Sequence, residues 1–218
     1  MGVTGLLQAL AIQGEEVVWP AKARGAAVGV DISAWLHELA TLHHQKVVLL
    51  KDVQPVVTGV LERARAYVMS GVQPVFVFDG RRLPGKAGTD EARAAKRLEA
   101  EAVVAAALDD SVDLSELQAA IAAGQELPVD IEDKTLKAAV AVDDHMNTTT
   151  LRALRRKGFR YIKAPYEADA QLACLDRLDI TQYTETVDSD LLVYGVRRVA
   201  IRTRRSAKVV QPRRRRDV

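Results

Sequence analysis

AAVGVDISAWLHEL (residues 26–39) carries the pattern that decides the fold. Its first seven residues, 26–32, form an apolar run broken only by Asp31, as in a strand covered on both faces. Ser33 is then placed to cap a helix over AWLHELATLHH, 34–44. The same order recurs downstream. A helix fits 54–70, with Val56, Val57, Val60, Leu61, Ala64 and Val68 at helical spacing and Gly71 to end it. PVFVFD (74–79) follows as a second buried strand. Two β–α passes in succession argue for a parallel sheet.

Outward from this core the chain changes character. Residues 81–150 are rich in Ala, Glu, Asp and Lys and show no strand signal. Helices are expected at 89–108, 113–123 and 133–157, too weakly apolar to bury much and projecting from the sheet. The sheet resumes at FRYIKA (159–164), and Pro165 is placed to open a helix that runs to Leu178. TETV (184–187) is a further strand, DSDLLVYG (188–195) a turn with a short helix, and VAIR (199–202) the last strand. VTGLLQALA (3–11) reads as a short helix ahead of everything else.

The bulk properties narrow the classes. A chain of 218 residues with 48% hydrophobic content supports one domain with a sizeable core and leaves room for a second small lobe. The single cysteine, Cys174 in AQLACLDRL, reads as a buried thiol, and one cysteine excludes an internal disulfide. No run approaches a membrane span. The start MGVTGL lacks a signal-peptide layout, and Leu6 breaks the myristoylation pattern. The net charge of +2 hides an asymmetry: Arg197–Val218 holds ten Lys or Arg and one acid, and the first 196 residues hold 21 basic and 28 acidic. A basic tail on an acidic body suits a polyanion partner, and PRRRR suits nuclear import.

The chemistry lies in the acids. Asp31, Asp79, Glu167 with Asp169, and Asp188 with Asp190 all stand where a strand-like run stops or a helix begins. Carboxylates at the ends of parallel strands gather in one crevice. They repel one another unless cations sit among them, and an all-oxygen site suits Mg²⁺ or Mn²⁺. Two such ions are the usual apparatus for cutting a phosphodiester, so the pattern points to a metal-dependent nuclease. Asp188 and Asp190 alternate on an extended segment and share one side. Glu167 and Asp169 converge only where strand turns into helix, since within a regular helix they diverge by about 200°. Lys86 and Arg93, seven residues apart, share one face of a helix and can hold a phosphate. The histidines, His43, His44 and His145 among them, have no partner at metal-ligand spacing.

Together, MGVTGLLQAL, VGVDISAWLH, PVFVFDGRRLPGK, APYEADAQLACL and VDSDLLVYG resemble the flap-endonuclease superfamily of structure-specific 5′ nucleases, the xeroderma pigmentosum group G/Rad2 type, and within it the exonuclease 1 branch. The resemblance covers 1–80 and 158–202 well. It implies a PIN-like α/β fold: a central, mostly parallel sheet flanked by helices, with a helical arch insertion. It implies two Mg²⁺ ions, with Mn²⁺ as substitute, held by Asp31, Asp79, Glu167, Asp169, Asp188 and Asp190. It places Lys86 and Arg93 on the scissile phosphate. Gly2, exposed once Met1 is removed, matches the family's N-terminal residue beside the site. Arg197 and Arg198 join Lys86 and Arg93 as DNA-binding residues. The implied activity is 5′→3′ exonuclease and flap-endonuclease action on DNA with 5′ ends, flaps or nicks, in repair and recombination within the nucleus, with no membrane role.

The expected organisation is 1–80 and 158–203 as two halves of the nuclease domain, 81–157 as arch and linker, and 204–218 as a disordered basic tail. The family's seventh metal-binding aspartate and its helix–turn–helix duplex grip have no counterpart here, so the chain reads as C-terminally truncated. The competing expectation is therefore a paralogue or fragment that binds DNA and cuts it poorly.

Overall fold

A computed structural model describes residues 14–81, 87–108, 112–187, 190–202 and 207–210. The expected helix at 3–11 lies outside the described residues. The chain divides into two compact units, one of 1–35, 61–82 and 150–218, the other of 36–60 and 83–149.

The first unit is built on a seven-stranded sheet. Its strands are β1 (Gly14–Val17), β2 (Ala27–Asp31), β3 (Gln73–Phe78), β4 (Arg160–Lys163), β5 (Tyr183–Thr186), β6 (Val199–Arg202) and β7 (Ala207–Val210), in the order β1-β7-β6-β5-β2-β3-β4. The five from β6 to β4 are parallel, and β7 and β1 add to the β6 side antiparallel. From β2 the chain builds outward through β3 to β4, then returns to β2's other side for β5 and β6. That reversal makes the carboxyl end of β2 the switch point where open α/β sheets place their ligands.

Both faces of β2 are covered, which explains its unbroken apolar run: Val28 and Val30 are fully buried. On one face lies helix α8 (Ala168–Arg177), whose Leu172 belongs to a cluster with Val75, Val77, Leu191 and Val199. A Cβ at Gly29 would stand 2.8 Å from Leu172, so glycine is what lets this helix settle onto β2. Elsewhere in the unit Trp35 stacks edge-on against Phe76 at 5.5 Å and Tyr67 at 5.4 Å, and Phe76 against Phe159 at 5.9 Å.

The second unit is helical. It takes in most of α1 (Ile32–Leu42), α2 (His44–Leu49), the start of α3 (Gln54–Met69), α4 (Ala87–Ala107), α5 (Leu114–Ala123), α6 (Asp133–Ala138) and the start of α7 (Asp144–Arg156). Both α4 and α2 pack on α6, and His44 Nε2 lies 2.6 Å from Asp133 Oδ1. Its small core includes Val104, Leu117, Ile121 and Leu136. Among the described residues no helix is long and apolar enough to cross a membrane.

Several local expectations are corrected. Asp31, not Ser33, caps α1: its carboxylate accepts the Ser33 N–H at 3.0 Å, and the helix begins at Ile32. The helix expected to 44 ends at Leu42, and α2 begins separately at His44 with His43 at its N-cap. The expected 133–157 helix is two, α6 and α7, because Asp143 stops the run and caps α7 by accepting from Met146 N–H at 2.7 Å. Pro165 stands outside α8, which starts three residues later with Glu167 at its N-cap. VAIR is interior, and Ala207–Val210, expected as disordered tail, is strand β7 and covers it. Cys174 is half-buried, not buried.

Candidate active site

Three segments meet at the carboxyl ends of β2, β3 and β4. Asp31 ends β2, Asp79 follows β3, and Glu167 and Asp169 open α8 just beyond β4. Asp79 ties them together. Its Oδ1 accepts the Ala168 N–H at 2.8 Å, so it satisfies the free amino end of α8. Its Oδ2 accepts the Ser33 hydroxyl at 2.6 Å, while Ser33 N–H reaches Asp31. Ser33 therefore bridges two of the sequence-predicted ligands.

The loop that carries Glu167 is held to the end of β3 by backbone. Gly80 N–H donates to the Tyr166 carbonyl at 2.5 Å, and Arg81 N–H to the Pro165 carbonyl at 3.1 Å. Contact is so close that a Cβ on Gly80 would fall 1.9 Å from the Ala164 oxygen. Only glycine allows this approach, and with it the convergence of Asp79 and Glu167.

Electrostatics mark the spot. Burial first, then the charges of Asp79 and Asp169, raise the Asp31 carboxyl against the opposing backbone N–H groups of Ser33 and Ala34, and together they carry it from 3.8 to about 7. An acid among acids at a strand end holds a proton or takes up a cation. Every donor here is oxygen, which fits Mg²⁺ or Mn²⁺. Among the described residues no three acids, histidines or cysteines stand as a ready-made metal cage. Of the six predicted ligands, Asp188 lies outside the described residues. Asp190 starts a short 3₁₀ turn (Asp190–Leu192) that follows β5, with its side chain outside the description.

Gly2 and Lys86 likewise lie outside the described residues, and Arg93 is placed on α4 by backbone alone. Arg197 is engaged internally: its Nε lies 3.1 Å from Oδ2 of Asp176, which is 1% exposed, and its Nη2 lies 2.6 Å from Asp179 Oδ1. Arg198 spreads over the Tyr183 ring at 5.4 Å.

Sequence reading missed two buried acids, Asp176, which holds Arg197, and Glu185. Glu185, on β5 beside Val30, accepts from Trp35 Nε1 and Trp19 Nε1, each at 2.7 Å, and pairs with Arg202 Nε at 3.0 Å. Burial pushes its carboxyl up, and the two indoles, Arg202 and Arg63 oppose that. Neither the Ser33 hydroxyl nor the Gly80 contact has a sequence signal beyond its place beside an acid.

An open α/β sheet with acids at its switch point defines a class of proteins that bind their ligands at the carboxyl ends of the strands. The XPG N-terminal domain model matches residues 1–100 and the XPG I-region model residues 158–214, and the chain belongs to this family. It is 31% identical over 206 residues to Exonuclease 1 of Danio rerio, covering 93% of this chain and 23% of that protein. It is 32% identical over 208 residues to Exonuclease 1 of Xenopus laevis, covering 93% and 25%. Flap endonuclease 1 of Danio rerio is 28% identical over 202 residues, covering 89% and 49%. The chain thus spans about a quarter of the exonuclease 1 relatives and about half of the flap endonuclease. In fold it matches the catalytic core of Rad2 in complex with DNA substrate at TM-score 0.63 and 21% identity, covering 96% of this chain and 55% of that one. Human GEN1 in complex with Holliday junction DNA matches at 0.58 and 18%, covering 97% and 44%.

Proposed function

We propose that this chain is a divalent-metal-dependent 5′ nuclease that hydrolyses DNA phosphodiesters at 5′ ends, flaps or nicks, in repair and recombination within the nucleus. The observation that carries the reading is Asp31: its carboxyl is driven up to about 7 by burial and by Asp79 and Asp169 beside it. A structural acid is matched by donors or cations, whereas this one is crowded by its own kind. Asp31, Asp79, Glu167, Asp169, Asp188 and Asp190 would hold two Mg²⁺ ions, with Mn²⁺ a substitute. Bound there, the ions supply Lewis acidity and an activated water for displacement at phosphorus.

The protein's own residues do the rest. Asp79 sets the position of α8 and hence of Glu167 and Asp169. The amino end of α8 adds its partial positive charge beside those acids. Gly80 keeps the two loops together. Lys86 and Arg93 are assigned to the non-bridging oxygens of the scissile phosphate, where charge grows in the transition state. Gly2 adds the charge of its free amine. Arg198 is assigned to a backbone phosphate, and Arg197, whose charge already meets Asp176 and Asp179, contributes less.

The test is cleavage of a labelled 5′-recessed duplex in Mg²⁺, with binding measured separately in EDTA. Asp79→Asn should abolish cleavage and leave binding. Lys86→Ala and Arg93→Ala should slow turnover roughly 10²–10³-fold, more than they weaken binding. Cleavage that survives Asp79→Asn would overturn the reading. Binding without any cleavage by the unaltered chain would favour the DNA-binding, cutting-impaired alternative.

A further inference from the structure

We propose that the outer edge of the sheet, from the end of α7 along β4, binds the backbone of a DNA strand that leads into the acidic crevice. The inference rests on the nuclease reading and adds a path for the substrate.

From Met146 to Tyr166 the chain holds six cations, Arg152, Arg155, Arg156, Lys157, Arg160 and Lys163, and no acid. All six are exposed, and none makes an ion pair with a described residue. Their spacing is fixed by the fold. Gly158, at φ +76°, ends α7 in a two-bond stop: Phe159 N–H donates to the Leu154 carbonyl and Gly158 N–H to that of Arg155, each at 3.0 Å. The chain then enters β4 at once, so the end of the helix and the start of the strand present their charges together.

Among the described strands β4 is the last of the sheet, with a partner on one side only. Its far end is in register with β3 so that Lys163 pairs with Phe78, the residue before Asp79. The basic run therefore ends one residue from the crevice. Arg160 and Lys163 lie about 10 Å apart along the strand and on opposite faces of the sheet, so both reach one DNA strand only where it runs along the open edge between those faces.

Two ordinary explanations cover only part of this. Arginines in a last helical turn offset the negative helix end, which accounts for Arg155 and Arg156 alone. Charge on an edge strand, lysine especially, discourages edge-to-edge pairing, which accounts for Arg160 and Lys163 and not for Arg152 or Lys157. The opposite edge strand, β1, carries Glu15 and Glu16 for that purpose, with Lys22 paired to Glu15 at 3.2 Å. Six unpaired charges of one sign, on a segment whose end is in register with the residue before Asp79, fit a polyanion.

Fluorescence anisotropy of a labelled 5′-recessed duplex in EDTA, across a salt series, tests this on the full chain. The triple variant R155Q/R156Q/R160Q should lose about 2.7 from the slope of log affinity against log salt. Between about 50 and about 200 mM salt it should thus give up about 40-fold less affinity than the unaltered chain. The control R24Q/K51Q/R65Q, also exposed cations, should change the slope by less than about 1. R155K/R156K/R160K keeps the charge and should keep the slope. Should the triple variant misfold by circular dichroism, K157Q/K163Q replaces it, with an expected loss of about 1.8. Equal slopes for track and control variants, or no change in either track variant, would sink the proposal. DNA that is bound with the expected slope change but never cut in Mg²⁺ leaves this path standing and removes the nuclease reading. DNA that is cut by a chain whose slope ignores the track removes the path alone.

Discussion

Two groups of carboxylates sit on one sheet and are treated in opposite ways. Asp31 and Asp79 stand at strand ends, where other acids and a few N–H and hydroxyl donors surround them. Glu185 lies inside, on β5, and meets two indole N–H groups and an arginine. Burial raises the carboxyl of Asp31 and of Glu185 alike. The difference is in what opposes that rise. For Glu185 the fold itself supplies positive charge and donors. For Asp31 the neighbouring side chains Asp79 and Asp169 add to the rise. Burial alone therefore does not tell a functional acid from a structural one; the sign of the neighbours does.

The largest expected effect comes from breaking the internal match. Glu185→Ala removes the carboxylate that the mostly buried Arg202 faces and takes the acceptor from Trp35 Nε1, while Trp19 Nε1 keeps the Tyr67 hydroxyl at 2.6 Å. Removing one partner of a buried pair costs about 3–5 kcal/mol. Urea denaturation should show that loss, and the double change Glu185→Leu with Arg202→Met should recover much of it. A Glu185→Ala chain as stable as the parent would mean that this acid is no better matched than Asp31, and the contrast would collapse.

The opposite sign is expected at the crevice. With its folded value raised from 3.8 to about 7, Asp31 binds its proton more tightly folded than unfolded. Its favourable contribution is complete below pH 3.8 and is lost as pH rises to about 7. At pH 7.5 without metal, Asp31→Asn should thus stabilise the chain, by about 1–2 kcal/mol once solvent screening at the crevice mouth is allowed for. The gain should shrink toward pH 4. Mg²⁺ should raise the melting temperature of the parent more at pH 7.5 than at pH 5, because protons and cations compete for the same oxygens. A destabilised Asp31→Asn variant at pH 7.5 would assign Asp31 a structural role.

The sequence exposes these two groups unequally, for a physical reason. Asp31 and Asp79 end apolar runs, and a parallel sheet sends all such ends to one side, so local pattern suffices. Glu185 sits in TETV, where three consecutive polar residues give no sign that the middle one is buried. Its partners Trp19 and Trp35 are 166 and 150 residues away, a pairing only the fold creates. The sheet was legible where burial on both faces leaves a continuous apolar run, as in β2 and β3. It was not at β1, GEEV, nor at β7, AKVV among arginines, because such strands are held by backbone pairing to a neighbour. Helix breaks at His43 and after Ala138 escaped notice because the apolar spacing continues across them.

The smallest effect tests how the crevice is held in shape. Ser33 donates its hydroxyl to Asp79 Oδ2 and its N–H to Asp31 Oδ1. Ser33→Ala removes the first bond and keeps the second. Asp79 is exposed, so water can replace the lost donor, and the stability cost should stay near 0.5–1 kcal/mol, about that of one ordinary hydrogen bond. Metal affinity should respond more, since donors that orient a ligand are worth roughly 10–100-fold in binding. Calorimetric titration with Mn²⁺ separates the two readouts, and Ser33→Thr, which restores a hydroxyl, should restore affinity. If affinity and stability fall together and threonine rescues neither, Ser33 is a packing residue of α1, and the two strand-end acids are set by their backbone positions alone.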